Sequence, residues 1–332
     1  MNKKRLGNTS LQVSPLAFGG NVFGWTADET MSMQLLDAFV DGGFNLIDTA
    51  NVYSAWVPGH AGGESETVIG NWLKKGHMAR EKVVIVTKVG ISMTDSFDMS
   101  KASLKRGAII QGVEDSLRRL QTDYIDLYLS HIDDEKTPLE ETLRAHDELV
   151  KAGKVRFIGA SNYKKARLEE ALKISATNHL ASYSVLQPHY NLYHREDYEG
   201  ELQDFCVANG IGVITYFSLA SGFLTGKYRS EADLAGHPRD QMVKDMLNER
   251  GLSILATLDD VAAELDARPS QVALAWLAAQ PGVVAPITSA TSMAQLQEIM
   301  GCAALSLNAD QIRRLNDSIK VSKGSIKGVR VT

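Results

Sequence analysis

Short continuous apolar runs alternate with amphipathic stretches along this chain, and that alternation restricts the fold more than any other feature. The runs lie near Leu16–Gly19, Asn45–Asp48, Val83–Lys88, Ile125–Ser130, Val155–Ser161, Ser184–Pro188, Ile211–Tyr216 and Val283–Ile287. Several are unbroken, as in Val83-Val84-Ile85-Val86, which is how strands buried on both faces of a parallel sheet read. The stretches between them carry helical stripes, such as Leu35, Leu36, Phe39 and Val40, or Ile109, Ile110, Val113, Leu117 and Leu120. Gly76 and Gly153 stand where a left-handed helix stop is wanted. Thr137-Pro138-Leu139-Glu140 reads as a capping box with proline at the first helical position.

Eight strands with helices between them predict an α/β chain folded as a (β/α)8 TIM barrel. An open, doubly wound sheet that binds a dinucleotide usually carries Gly-x-Gly-x-x-Gly after its first strand. The stretch Gly19-Gly20-Asn21-Val22-Phe23-Gly24 does not fit that spacing. Lys4-Arg5-Leu6 and Leu11-Gln12-Val13, around Gly7-Asn8, predict a short N-terminal hairpin before the barrel. Residues 219–251 predict a long loop with its own short helix before the last strand, of a size often used to cover a ligand.

The 332 residues would make about two average domains, yet barrels of this class use more than 200 residues as one unit. No Pro/Gly/Ser-rich linker divides the chain, so residues 1–332 are read as a single barrel domain. With 44% apolar and 23% charged residues the chain is not of the disordered class. A net charge of −5 argues against a nucleic-acid partner. Two cysteines, Cys206 and Cys302, make neither a disulfide framework nor a cysteine-rich zinc site. The basic start, Met1 to Arg5, has no apolar run behind it, and no stretch is long enough to span a bilayer. The expectation is a cytoplasmic protein with no membrane partner.

In a barrel the strand C-termini converge on one face, so the residue that ends each strand is the one to examine. Those residues are Asp48, with Tyr53 in the following loop, then Lys88, Ser130-His131, Ser161-Asn162, Gln187 and Tyr216. An acid, a phenol, an amine and an imidazole are thereby expected around one mouth. A tyrosine hydroxyl, with its pKa of about 10, is a poor proton donor at neutral pH unless a neighbour stabilises the phenolate. Lys88 supplies such a neighbour, and Asp48 is the counter-ion that keeps it charged. The expected result is a general acid tuned toward neutral pH, suited to protonating a carbonyl oxygen, with His131 binding that oxygen. Singly, each residue has a plainer reading: Asp48 as a helix cap, Tyr53 as a loop aromatic, His131 as a core histidine. The four together point to chemistry.

The segment Asp48-Thr49-Ala50-Asn51-Val52-Tyr53, with Lys88 and His131, resembles the aldo-keto reductase family. So do Gly63-Glu64-Ser65-Glu66, Gly159-Ala160-Ser161-Asn162, Gln187-Pro188-His189-Tyr190-Asn191, Leu224-Thr225-Gly226-Lys227-Tyr228 and Ala290-Thr291-Ser292 through Gln295-Leu296. The resemblance covers nearly the whole chain and is to bacterial members related to potassium-channel β-subunit-like proteins. It implies hydride transfer between a nicotinamide dinucleotide and an aldehyde or ketone, or the corresponding alcohol in reverse. It implies Tyr53 as proton donor, Lys88 and Asp48 as its tuning pair, and His131 as the residue that orients the carbonyl. Asp48 would also border the cofactor. Ser161, Asn162 and Gln187 would hold the carboxamide and Tyr216 would stack on the nicotinamide. Phe217, Ser218, Leu219, Ser221 and Gly222, with Lys227, would run along the pyrophosphate. Ser289, Thr291, Gln295 and Glu298 would reach the adenosine half, and Gly20 and Asn21 would border cofactor or substrate. Trp25 and Trp56, with Tyr53 and His131, would line the substrate pocket.

Two positions depart from the family pattern. Phe217-Ser218 follows Tyr216 where Ser-Pro is frequent, which would shift the pyrophosphate contact by one residue. Ile299 follows Glu298 where Asn is frequent, which would remove an adenine hydrogen bond. The family habit implies NADP, with NAD the other option, because Thr291 brings only a hydroxyl to a 2′-phosphate. Arg229, Arg239 and Arg250 are candidates for the missing charge.

Other readings are weaker. Gly222-Phe223-Leu224-Thr225-Gly226-Lys227 has three residues between its glycines and Tyr228 where a phosphate loop needs Ser or Thr. His131 with Asp133-Asp134 has no second histidine at ligand spacing, and the two acids are expected to start a loop or cap the next helix. Cys206, Cys302, Trp72 and Trp276 read as packing residues. Two alternatives to the reductase stay open: a Schiff-base aldolase using Lys88, and a cofactor-binding sensor or regulatory subunit with little turnover. The physiological substrate and the oligomeric state are not legible in the sequence.

Overall fold

The eight apolar runs become eight parallel strands in a computed structural model, which describes residues 2–91, 102–234 and 240–320. A two-stranded antiparallel hairpin, β1 (Lys4–Arg5) and β2 (Gln12–Val13), comes first, as expected. Then follow β3 (Ala17–Gly19), β4 (Leu46–Asp48), β5 (Val84–Val89), β6 (Ile125–Ser130), β7 (Val155–Ser161), β8 (Tyr183–Gln187), β9 (Gly212–Thr215) and β10 (Val283–Thr288). They form a closed barrel in sequence order, with β10 returning to pair with β3.

The two-residue period of a strand sorts every side chain into one of two compartments. Leu46, Val84, Val86, Leu127, Leu129, Val185 and Ile214 point inward and form one cluster. Their neighbours Ile47, Ile85, Val89, Tyr128, Leu186 and Val213 point outward into the layer beneath the helices. The hairpin closes the lower end: Leu6, Leu11 and Val13 join the inward cluster. Gly7 has φ +56°, and a Cβ on it would lie 2.3 Å from the Ser184 carbonyl oxygen and 2.5 Å from the Gly212 nitrogen. Only glycine allows the hairpin to press this closely against the strand starts.

Helices α1 (Glu29–Asp41), α2 (Glu64–Lys75), α3 (Arg106–Leu120), α4 (Leu139–Lys151), α5 (Lys165–Asn178) and α6 (Glu201–Ala208) follow β3 to β8 in turn. Their sequences carry their own start and stop signals. Asp28 caps α1 by accepting from the Met31 amide, and Gly76 ends α2 in the left-handed region. One expected signal fails. Thr137 does not cap α4, because its hydroxyl donates to Asp134 at 2.5 Å, and Asp134 also accepts from the Leu104 and Lys136 amides. Asp134 is therefore a loop clasp, and Pro138 stands at the helix start without a side-chain cap.

After β9 the expected long segment holds two 3₁₀ turns, Ala220–Thr225 and Glu231–Leu234, and the short α7 (Asp240–Lys244). Two longer helices, α8 (Glu249–Glu264) and α9 (Pro269–Ala278), precede β10, and α10 (Met293–Met300) and α11 (Ala309–Asp317) complete the layer. Trp72 and Trp276 are buried in the layer between strands and helices, with Cys206 and Cys302, as expected of packing residues. No helix among the described residues is long and apolar enough to cross a membrane.

Helices α2 and α3 meet at a glycine. A Cβ on Gly70 would fall 2.0 Å from the Arg119 carbonyl oxygen, whereas one on Gly107 in α3 meets nothing within 4 Å. Replacing a helical glycine by alanine ordinarily stabilises by up to about 1 kcal/mol. We expect Gly107→Ala to be neutral or stabilising in urea unfolding, and Gly70→Ala to destabilise by about 1–3 kcal/mol or more, since backbone cannot yield as a side chain does. Equal shifts for the two would contradict this packing.

Candidate active site

The same inward parity carries past the apolar layers to the strand ends. After Leu46 comes Asp48, after Val84 and Val86 comes Lys88, and after Leu127 and Leu129 comes His131. Ser161, Gln187, Tyr216 and Ser289 hold the same phase on or just beyond β7, β8, β9 and β10. A ring of polar groups thus closes the upper end of an apolar barrel.

At its centre, Lys88 Nζ lies 2.8 Å from both carboxylate oxygens of Asp48, 2.7 Å from the Thr49 carbonyl and 3.0 Å from the Tyr53 hydroxyl. Lys88 is fully buried, and Asp48 is 1% exposed. Gln187 crosses the mouth and donates to Asp48 Oδ1 at 2.7 Å, while the Tyr53 hydroxyl donates to Oδ2 at 3.2 Å. Burial pushes the Lys88 ammonium below the ordinary lysine range, and Asp48 opposes that push.

The Tyr53 hydroxyl departs from expectation. Burial and the facing Asp48 carboxylate hold it well above the ordinary tyrosine value, so it is not tuned toward neutral pH. The physical reason is that Tyr53 faces the whole ion pair, acid as well as ammonium. In the resting site it is a firmly protonated donor. The Lys88 ammonium lies 3.0 Å from the same hydroxyl.

His131 is neutral for the converse reason: burial, then the Lys88 charge, hold it well below 6.5. Its Nδ1 is buried with no hydrogen-bond partner among the described residues. An orphaned acceptor costs less than an orphaned N–H, which favours the tautomer with the proton on Nε2. The His131 ring centroid stands 6.3 Å from that of Tyr53. Trp56 packs edge-on to Tyr53 at 6.0 Å and to Trp25 at 5.6 Å, so the two tryptophans build one aromatic wall beside the hydroxyl.

The second side of the ring is Asn162, which sits at φ +59°. It donates to the His131 carbonyl at 3.0 Å and to Ser161 Oγ at 3.1 Å, and accepts from the Tyr216 hydroxyl at 2.7 Å. Ser161 in turn donates to the Gln187 carbonyl at 2.9 Å. Beyond Tyr216 the backbone is bent sharply, with Phe217, Ala220 and Ser221 at φ +52°, +48° and +57° and Gly222 at +95°. Non-glycine residues in this region are strained, and such strain gathers at ligand sites. A Cβ on Gly222 would sit 3.5 Å from Lys227 Nζ, so the missing side chain leaves a small hollow beside an ammonium. That hollow, the Tyr216 ring and the amide and hydroxyl groups of Asn162, Ser161 and Gln187 fit an anionic dinucleotide with an aromatic amide at one end.

Other expected contacts are partly committed. The Ser218 hydroxyl lies 3.0 Å from the Thr215 carbonyl, and the Leu219 carbonyl accepts from the Gly222 and Leu224 amides in the turn that follows. Ser289 Oγ is 2.7 Å from the Gly19 carbonyl and 2.5 Å from Asn21 Oδ1. Gln295 Oε1 accepts from the Thr291 amide and hydroxyl, and the Glu298 carboxylate accepts from Ser270. Arg229 pairs with Asp259, and Arg250 with Glu196; Arg239 lies outside the described residues.

A layer behind the ring had no chemical signal in the sequence. Ser65 of α2 lies 2.7 Å from the Gly20 carbonyl, beside its adjoining contact with Thr49 at 2.8 Å. Glu66, fully buried, accepts from Thr87 at 2.5 Å and from Arg119 at 2.7 Å. Ser65 and Glu66 fall in Gly63-Glu64-Ser65-Glu66, so the motif is the trace by which they could have been found.

Comparison with known proteins agrees with this geometry. The profile of the aldo/keto reductase family matches residues 15–320. An oxidoreductase of Bacillus subtilis, YrpG, is 35% identical, covering 94% of each chain. The aldo-keto reductase AMT2 of Alternaria alternata is 34% identical over 96% of this chain and 91% of its own. A probable voltage-gated potassium channel subunit beta of Arabidopsis thaliana is 33% identical over 90% of each. The family is one of oxidoreductases acting on small carbonyl compounds with nicotinamide cofactors, and this chain belongs to the aldo/keto reductase family.

Proposed function

We propose that this protein reduces an aldehyde or ketone, or oxidises the corresponding alcohol, with Tyr53 as the proton donor and NADP as the cofactor. The observation that carries the reading is the Lys88 ammonium within 3.0 Å of the Tyr53 hydroxyl and 2.8 Å of both Asp48 oxygens. A reduced dinucleotide held there would supply hydride to the carbonyl carbon. As negative charge develops on the carbonyl oxygen, Tyr53 gives up its proton to it, and the phenolate is left facing Lys88. Burial makes that ammonium worth more to the phenolate than it would be in water. Neutral His131, with its proton on Nε2, holds the carbonyl oxygen at the mouth. Tyr216, held by Asn162, provides the ring platform, and Ser161, Asn162 and Gln187 the amide-binding edge.

Lys88 donates to Asp48, Thr49 and Tyr53, so its nitrogen lone pair is not offered to a carbonyl carbon, which weighs against the aldolase reading. Lys227 beside Gly222 supports the pyrophosphate assignment. The wall of Trp25 and Trp56 supports substrates with an apolar or aromatic part. A regulatory subunit with little turnover is the second reading, supported by the likeness to the plant channel β subunit.

Tyr53→Phe is expected to keep dinucleotide binding, followed by fluorescence titration, and to lose carbonyl reduction by about a hundred-fold or more, followed at 340 nm with 4-nitrobenzaldehyde. Parent-level turnover in this variant would remove Tyr53 from the mechanism. If the unsubstituted protein binds dinucleotide yet turns over none of a broad carbonyl panel, the regulatory reading stands instead. Parallel titrations with NADPH and NADH decide the cofactor, and tighter binding of NADPH is expected.

The pH profile follows from the shifts. His131 is held far below 6.5 and Tyr53 far above its ordinary value, so kcat for reduction should be flat through pH 6–8, on the order of two units. It should fall on the alkaline side as Lys88 loses its proton, at a pH below that of a free lysine. An ionisation near 6.5 that His131→Gln abolishes would contradict this.

A further inference from the structure

Tyr216 does not stand alone. The ring of His189 lies parallel to it, centroids 5.3 Å apart with an interplanar angle of 20°. Behind His189 comes His194, at 4.5 Å and 40°. Phe217 packs against both Tyr216 and His189, each at 5.4 Å, so the rings form one cluster. The cluster is held by Asn191, which is fully buried. Its Oδ1 accepts from the Tyr193 and His194 amides, both at 2.8 Å, and its Nδ2 donates to the Phe217 carbonyl at 2.9 Å. Nδ2 also lies 3.4 Å from His189 Nε2. An amide nitrogen carries only hydrogens, so this contact favours a His189 whose Nε2 is bare. Main-chain bonds lock the two strands of the cluster, with Tyr216 N donating to the Pro188 carbonyl at 3.1 Å.

We propose that His189 is a positioning residue, which as a neutral ring behind Tyr216 sets how tightly the platform holds the oxidised nicotinamide relative to the reduced one. The proposal rests on the reading that Tyr216 carries the nicotinamide. The oxidised ring is a cation and the reduced ring is not. A cation on an aromatic face gains electrostatic attraction that a neutral ring does not. A neutral imidazole stacked on Tyr216 leaves that attraction intact and keeps the phenol plane from tilting. Asn162 pins only the hydroxyl end of Tyr216. The ring itself is packed by His189, nearly parallel to it, and by Phe217 at 56°. Burial and the neighbouring His194 push the His189 imidazole down to about 4, in agreement with the bare Nε2.

The test measures dissociation constants of NADP+ and NADPH by titration for the unsubstituted protein, His189→Ala, His189→Phe and Tyr216→Ala. His189→Ala is expected to weaken NADP+ by about three- to five-fold, the size of a modest cation–π contribution, with NADPH changed by less than about two-fold. His189→Phe restores a neutral ring and should return the ratio of the two constants to that of the unsubstituted protein. A ratio unchanged in His189→Ala, or a His189→Phe that behaves like His189→Ala, overturns the proposal. Tyr216→Ala separates the two readings. If it weakens NADP+ while His189→Ala does not, the platform stands and the role of His189 falls. If it leaves both constants unchanged, the platform itself falls. Thermal unfolding of each variant shows whether a uniform loss reflects a damaged fold, which would move both constants together.

Discussion

The Lys88–Asp48 ion pair is the constraint on which the rest of the molecule depends. Taking two charges out of water costs several kcal/mol per ion, and removing either partner from such a pair typically costs about 3–5 kcal/mol. The barrel tolerates the pair because every strong valence near it is met: both Asp48 oxygens, the Thr49 carbonyl and the Tyr53 hydroxyl surround Nζ, and Gln187 reaches Asp48 from a strand 139 residues away. Those partners come from β4, β5, β8 and the loop after β4. Asp48, Lys88 and Tyr53 belong to the adjacent strands β4 and β5 and the loop between, whereas Gln187 is in place only once the sheet has curled far enough to bring β8 opposite β4. Curling the sheet thus completes, through Gln187, a polar group that two neighbouring strands begin.

Much of this is legible in the sequence. Each of the eight runs overlaps a strand, and the unbroken Val/Ile segments such as Val84–Val86 are strands because they have no solvent face to offer. Once the strands stood, a period of two placed Asp48, Lys88 and His131 inward with no further information. What spacing does not contain is competition between neighbours. Thr137 has the sequence of a cap, but Asp134 three residues earlier takes its hydroxyl. Lys88 was expected to pull the Tyr53 proton toward neutral pH. Asp48 faces the same hydroxyl with the opposite effect, and burial adds to it. His189 was invisible as a platform residue because it lies past the end of β8, where no periodicity says which way a ring will point.

The residues behind the mouth explain how so polar a ring stays rigid. Ser65 and Glu66, adjacent on α2, diverge to hold the ends of β3, β4 and β5 from outside, and Arg119 of α3 neutralises the buried Glu66. Gly70 lets α3 approach α2 closely enough for Arg119 to arrive. Helix packing, a buried ion pair and strand-end geometry therefore form one chain of dependence, from a glycine on the outside of the barrel to the ammonium inside it.

The seam between β10 and β3 extends this to the order in which the protein is made. Ser289 meets Gly19 and Asn21 across 270 and 268 residues of chain, and β10 is the last strand to leave the ribosome. Until it emerges, the sheet has two open edges, and β3 and β9 expose unpaired backbone that invites other chains. The Asp48, Lys88 and Gln187 strands are by then already synthesised, so for the time needed to translate β10 the nascent protein carries its ion pair in an unclosed sheet. Protection of that interval falls to the residues that blunt the open edges, such as Gly19 and Gly20 at the end of β3, whose lack of side chains makes them poor templates for a foreign strand.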